Sequence, residues 1–137
     1  MGVMRVELLT IGSELTSGAT LNTNAADLSR RLRDVGLPCG RQTVLGDEPI
    51  VIREALRESL QRVELLITTG GLGPTFDDVT MAAIAEATRC PLSYRPAVAA
   101  RIRRWVRRRH RALPRTALRQ AWLPRGPARA FLGARPP

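Results

Sequence analysis

The chain contains no lysine, and none of its twelve Asp and Glu residues lies beyond Glu86. These two absences divide the charge. Residues 1 to 89 carry nine Arg against all twelve acids, a net −3, whereas residues 90 to 137 carry thirteen Arg and no acid, a net +13. A basic segment on an acidic body is the footprint of an anion-binding or nucleic-acid-binding surface. A solvated Arg-rich helix or an atypical chain end is the commoner source of such a pattern, and both readings stay open.

Aromatic residues make up only 4% of the chain and are not interleaved with the arginines, which argues against a base-stacking platform. Trp105 and Trp122 are accordingly expected to pack. The two cysteines, Cys39 and Cys90, are far apart and have no CxxC or Cys/His neighbourhood. That excludes a disulfide framework and a zinc site, and they are expected to be buried thiols. His110 is the one histidine, and its RRRHR setting contains no nucleophile or acid motif, so no catalytic role is assigned to it. No apolar run approaches the roughly 18 residues that span a bilayer, and the first residues lack the charged and apolar regions of a secretory signal. The expectation is a cytoplasmic protein without a membrane partner. A length of 137 residues, 44% apolar and 25% charged, suits one folded domain.

Within that domain the apolar pattern alternates between short runs and helical stripes. Val6 to Ile11 (VELLTI) stops at Gly12 and fits a buried parallel strand. Asn24 to Val35 places Leu28, Leu32 and Val35 on one face, with Thr23 as expected N-cap and Gly36 as terminator. Gly40 to Leu45 reads as a weaker strand. A helix follows with Asp47 as N-cap, Pro49 in its first turn, and Ile52, Leu56, Leu60 and Val63 as its stripe. Glu64 to Thr69 is a third strand, Val79 to Thr88 a largely apolar helix, and Pro96 to about His110 an Arg-rich amphipathic helix. From Leu113 onward periodicity fades. Strands alternating with helices at this spacing predict an α/β fold with a mainly parallel sheet covered on both faces.

In such a sheet ligands bind outside the carboxyl ends of the strands. The loop after strand one reads Gly12-Ser13-Glu14-Leu15-Thr16-Ser17-Gly18 and runs on to Leu21-Asn22-Thr23-Asn24. The loop after strand three reads Gly70-Gly71-Leu72-Gly73-Pro74-Thr75-Phe76-Asp77-Asp78-Val79-Thr80. Glycines there let successive amides point inward around an anion, and the following helix adds its positive end. The loop is neither a Walker A motif nor a GxGxxG turn. Asp77 and Asp78 would repel a bare phosphate, so they point to a divalent, Mg²⁺-like cation between them and the ligand. Read singly, Asp78 is also a helix cap and Asp77 a solvated acid, and Asn22 and Asn24 are also capping and turn residues. Glu14, opposite this acidic loop, needs a cation or a proton to offset the repulsion.

The segments GSEL-x-x-G, NTN, Gly46-Asp47 and TGGLGPT-x-DD-x-T resemble the amino-terminal domain of the CinA (competence/damage-inducible) family, which shares the MoaB/MogA molybdopterin-binding fold. The resemblance covers residues 4 to about 126. It implies a three-layer αβα fold, commonly a homo-oligomer, that binds a phosphorylated pterin or nucleotide. In the CinA branch it implies metal-dependent cleavage of the pyrophosphate of ADP-ribose. Carried over position by position, it gives Gly70, Gly71, Gly73, Pro74, Thr75 and Thr80 to the ligand, with Ser13, Asn22 and Asn24 on the facing side of the pocket. Asp77, Asp78 and Glu14 become the catalytic set, with Asp77 and Asp78 also holding the metal. Two alternatives stand beside hydrolysis: a molybdopterin-binding module of cofactor biosynthesis, and an Arg-rich nucleic-acid binder whose contacts are weak and non-specific.

The resemblance stops near Gly126, after the QAWLPRG stretch, and residues 127 to 137 form an irregular tail rich in Arg, Ala and Pro. The turn and strands that complete the family's sheet are absent from this sequence. The domain is therefore expected to be cut short at its carboxyl end; a change of coding frame near Gly126 would account for it, and so would a genuine short paralogue with a disordered tail. The family's carboxyl-terminal domain, linked to nicotinamide mononucleotide deamidation, has no counterpart here, so that activity is not expected.

Overall fold

The computed structural model describes residues 4–73 and 79–126. Three strands, β1 (Val6–Ile11), β2 (Cys39–Leu45) and β3 (Leu65–Thr69), form a parallel sheet in the order β2-β1-β3. Central placement explains why β1 is the apolar run of the sequence. All six of its residues are buried, because both edges and both faces are covered.

The sheet register shows what covers each face. Leu8 stands beside Gln42 of β2, whose side-chain amide donates to the Ser29 hydroxyl of α2 (Thr23–Asp34) at 2.7 Å. The Leu8 face is therefore the α2 face. On the opposite face Leu9 and Ile11 pack with Ile52 and Leu56 of α3 (Pro49–Arg62) and with Ala83 and Ile84 of α4 (Thr80–Thr88). Three layers result, as expected. Each large aliphatic side chain buried here contributes roughly 1.5–3 kcal/mol relative to exposure.

Local signals hold in kind and shift in place. Gly36 ends α2 at φ 79°, and the Leu37 and Gly36 amides donate to the carbonyls of Leu32 (2.8 Å) and Arg33 (3.0 Å). The N-cap of α2 is Asn22 rather than Thr23, its side-chain oxygen accepting from the Ala25 amide at 3.2 Å. Asp47 does not cap α3. Glu48 holds that position with no side-chain cap bond, while the Asp47 carboxylate turns to the loop after β1. On α3 the buried stripe is Ile52, Leu56 and Ser59, and Leu60 is exposed. Steps of four and then three residues stay closer to one helix face than two steps of four, so position 59 faces the sheet where 60 does not.

Ser59 sits beside a buried charge. Glu7 of β1 is fully buried, and Arg62 at the end of α3 grips both its oxygens at 3.1 and 2.8 Å, with a further bond to the Ser59 hydroxyl. The bond to Glu7 holds the Arg62 guanidinium above its ordinary pKa. A second pair, Arg5 with Glu64, joins the starts of β1 and β3 on the surface at 2.6 Å. That hydrogen bond lowers the Glu64 carboxyl from 4.5 to about 2.

The rest of the described chain forms a smaller unit against α4. Strand β4 (Leu92–Tyr94) pairs antiparallel with β5 (Trp122–Pro124), and between them lie α5 (Pro96–Arg108) and a 3-10 helix (Arg115–Ala121). Ala99, Ile102 and Val106 of α5 pack on Ala117 and Ala121 of the 3-10 helix. Neither short strand shows as periodicity, because three residues cannot display a period, and the seven-residue 3-10 helix is too short to show one clearly. The expected helix to His110 ends at Arg108, with His110 left-handed at φ 51°. Trp122 is 47% exposed rather than packed, standing with exposed Tyr94 at the open end of the two-stranded sheet, whose other end is buried at Pro124. Both cysteines are half-buried free thiols rather than fully buried ones. Among the described residues no helix is long and apolar enough to cross a membrane.

Replacing Arg62 with Met should destabilise the fold by about 3 kcal/mol in urea unfolding, because Glu7 is then buried without its partner. The double variant Glu7→Leu/Arg62→Met should recover most of that loss; equal losses in both would show that the pair is not coupled. The depressed Glu64 carboxyl contributes stability that is fully present above about pH 4.5 and is lost as pH falls toward about 2. Glu64→Gln should therefore lower stability at neutral pH, leave it nearly unchanged near pH 2, and flatten the curve between about pH 4.5 and about 2.

Candidate functional site

The chain leaves β1 toward β2 on one side, while β3 lies on the other, so the crevice between the carboxyl ends of β1 and β3 is the switch point of this sheet. Both Gly-rich loops converge there. Gly12 continues β1 by donating its amide to the Leu45 carbonyl at 2.9 Å, then starts the single turn α1 (Ser13–Thr16). The Ser13 amide donates to the Asp47 carboxylate at 2.9 Å, and the Asp47 amide donates to the Ser13 hydroxyl at 3.2 Å. This reciprocal pair pins the β1 loop to the β2 loop. The Ser13 hydroxyl is thus already an acceptor for the protein itself. Glu14 is exposed at the crevice mouth, and its carboxylate folds back over Gly12.

The loop after β3 is set by two successive left-handed glycines, Gly70 at φ 91° and Gly71 at φ 59°. A β-carbon at Gly70 would collide with the backbone carbonyl of Ile11, and one at Gly71 with the Thr80 hydroxyl. The hydroxyl of fully buried Thr80 donates to the Gly70 carbonyl at 2.9 Å, and the Thr80 amide donates to the Gly71 carbonyl at 3.3 Å. Thr80 therefore fastens the loop to the first turn of α4, and its hydroxyl is spent on that contact. What remains is a left-handed backbone turn beside the start of a helix, the kind of arrangement that can hold anions.

The other residues assigned from sequence fall into three groups. Gly73 continues the same loop, half-buried. Asn22 is occupied as the α2 cap, and Asn24 lies exposed in the first turn of that helix. Pro74, Thr75, Asp77 and Asp78 lie outside the described residues. Among the described residues no group of three or more His, Cys, Asp or Glu side chains is placed to hold a metal ion. Asp47 is the site residue that sequence reasoning assigned to another task. Its position one residue after a terminal glycine, at the end of the strand paired with β1, was the available signal. A groove of about 480 Å³ between α3 and α4, lined by Arg57, Leu60, Gln61, Glu86, Ala87 and Arg89, contains no residue of either loop.

Comparison with known proteins agrees with this geometry. The family model described as "Probable molybdopterin binding domain" matches residues 7–132. A CinA-like protein of Synechococcus sp. (strain CC9902) is 47% identical over 121 residues, covering 88% of this chain and 29% of the relative. A CinA-like protein of Gloeobacter violaceus is 45% identical over 120 residues, covering 88% and 28%. The chain thus spans under a third of the length of these curated relatives. Among solved structures, CinA from Thermoplasma acidophilum superposes with a TM-score of 0.76 at 31% identity, covering 88% of this chain and 70% of that one. The molybdopterin biosynthesis enzyme MoaB from Thermus thermophilus superposes with a TM-score of 0.56 at 27% identity, covering 84% and 70%. With its parallel sheet, its glycine loop and these matches taken together, the chain belongs to the molybdopterin-binding domain family and, within it, to the CinA group.

Proposed function

We propose that the crevice between the ends of β1 and β3 binds a phosphorylated pterin or nucleotide, and that its substrate is a nucleotide pyrophosphate such as ADP-ribose. The observation that carries this reading is the Gly70-Gly71 turn, fixed left-handed against Ile11 and Thr80 before any ligand arrives. A preformed cradle avoids the cost of ordering a loop on binding. The amides stabilise charge on phosphate oxygens, and that charge grows as an anhydride breaks.

In the proposed reaction, water attacks one phosphorus, the bridging P–O bond breaks, and two phosphate monoesters leave. For ADP-ribose these are AMP and ribose 5-phosphate. Glu14, exposed at the mouth, is the carboxylate proposed to take the proton of the attacking water. Asp77 and Asp78 are proposed as holders of a divalent cation, which when bound neutralises charge on the phosphate oxygens. Ser13 is held by Asp47 on the facing loop and supplies shape rather than acid–base chemistry. A homo-oligomer, as in the family at large, belongs to the same proposal.

The second reading, a molybdopterin-binding module without hydrolysis, uses the same cradle and is favoured by the family description. Chromatography of ADP-ribose incubated with the protein, with and without Mg²⁺, decides between them. Release of AMP only with metal supports hydrolysis; intact ADP-ribose alongside calorimetric binding of molybdopterin supports the module.

Asp77→Asn and Asp78→Asn should each lower metal-dependent turnover at least about tenfold without changing the melting temperature. Full turnover in both would remove these acids from the reaction. Gly71→Val should abolish ligand binding in calorimetry, because a β-branched residue at φ 59° must displace the Thr80 hydroxyl and turn the amides away. Unchanged affinity in a folded Gly71→Val protein would disprove the cradle.

A further inference from the structure

We propose that the exposed arginine face of α5, with the Tyr94 and Trp122 rings at its amino-terminal end, is a binding surface for single-stranded nucleic acid. Helix α5 has 13 residues, roughly 20 Å of length. Ala99, Ile102 and Val106 are buried against the 3-10 helix, and that contact fixes which way the rest of the helix points. Arg101, Arg103, Arg104, Arg107 and Arg108 are all exposed and together span the opposite face. No acid occurs after Glu86, and Glu86 itself pairs with Arg53. None of the ion pairs seen among the described residues is made by these five.

Such a helix carries like charges at i,i+3 and i,i+4 (Arg101 with Arg104, Arg104 with Arg108, Arg103 with Arg107), which costs a few tenths of a kcal/mol per pair until an anion neutralises them. An external polyanion relieves that repulsion. Guanidinium groups engage phosphate with two parallel hydrogen bonds, which suits a phosphodiester chain. An anionic membrane fits less well, because the apolar stripe an interfacial helix would insert is already buried in the protein.

The aromatic pair favours single strands. Tyr94 and Trp122 stand opposite each other in the β4–β5 ladder with ring centroids 5.8 Å apart, 38% and 47% exposed. The Arg95 amide, at the N-cap of α5, donates to the Ala121 carbonyl at 2.8 Å, which fastens the pair to the start of the helix. Exposed rings at one end of a row of cations allow unpaired bases to stack while the backbone follows the arginines. A duplex offers the phosphates without the bases. Contacts of this kind are weak, salt-sensitive and indifferent to sequence.

The test uses the full chain, with fluorescence anisotropy of labelled 20-nucleotide poly-dT, a 20-base-pair duplex and phosphatidylserine vesicles across 50–300 mM NaCl. The expected result is binding to the single strand at low salt, tighter than to the duplex. Each phosphate contact contributes a slope of about −0.7 in log affinity against log salt. Arg101→Gln/Arg104→Gln/Arg108→Gln should therefore make the slope about 2 shallower. Trp122→Ala should weaken the single-strand complex several-fold, abolish most of its tryptophan quenching, and leave duplex affinity unchanged. Gly71→Val should change none of these values, which separates this surface from the crevice. A wild-type slope in a folded triple variant, a sequence-specific complex, or binding to vesicles but not to poly-dT would overturn the proposal.

Discussion

The approach of the Gly70 backbone to the carbonyl of Ile11 is the contact on which the crevice depends. It leaves no room for any side chain at position 70, and it requires β3 to end in a left-handed turn directly beside the end of β1. Thr80 then closes the same turn from the other side, joining loop to helix through the Gly70 and Gly71 carbonyls. The facing loop is held with equal economy by the Ser13–Asp47 pair. Each loop is thus fixed by a side chain meeting a backbone group, Thr80 on the Gly70 carbonyl and Ser13 with Asp47, while Glu14 is left exposed.

Charge is partitioned in a similar way. The parallel sheet buries one carboxylate, Glu7, and satisfies it with a two-pronged guanidinium. Such a pair contributes little net stability, but it strongly penalises any packing that separates its members. The second unit holds its surplus of cations on the solvent side of α5 and buries only alanine and branched aliphatic residues behind them. Helix α4 belongs to both units, since its Ala83 and Ile84 face the sheet and it also borders β4 and β5. The anion cradle and the arginine face are therefore carried by separate cores on one continuous chain.

A shared fold leaves the chemistry open. The parallel sheet and its switch point are common to this chain, to CinA and to MoaB, whereas function resides in the residues grafted on the loops. In this chain the acids proposed to distinguish pyrophosphate cleavage from simple capture stand in the segment Phe76-Asp77-Asp78, which follows the glycine loop in sequence. Placing acids next to an anion site is unfavourable without a cation, and that conflict is the physical basis of the proposed activity.

Periodicity and punctuation determined much of the outcome. VELLTI had to be a buried strand, Gly36 had to end a helix, and the glycines at 70 and 71 had to turn the chain, because each follows from side-chain size and backbone freedom within a few residues. The α/β class and the location of the crevice followed from those local rules. Other features depended on residues far apart in sequence meeting in space. Thr80 reads as a ligand residue until its hydroxyl is found on the Gly70 carbonyl, and Asp47 reads as a helix cap until Ser13, 34 positions away, claims it. Glu7 looks like an interruption in an apolar strand until Arg62 meets it across 55 positions. Trp122 looks like core until a two-stranded sheet leaves it in solvent. Sequence spacing governs which residues share a face, but only the tertiary fold decides what that face meets.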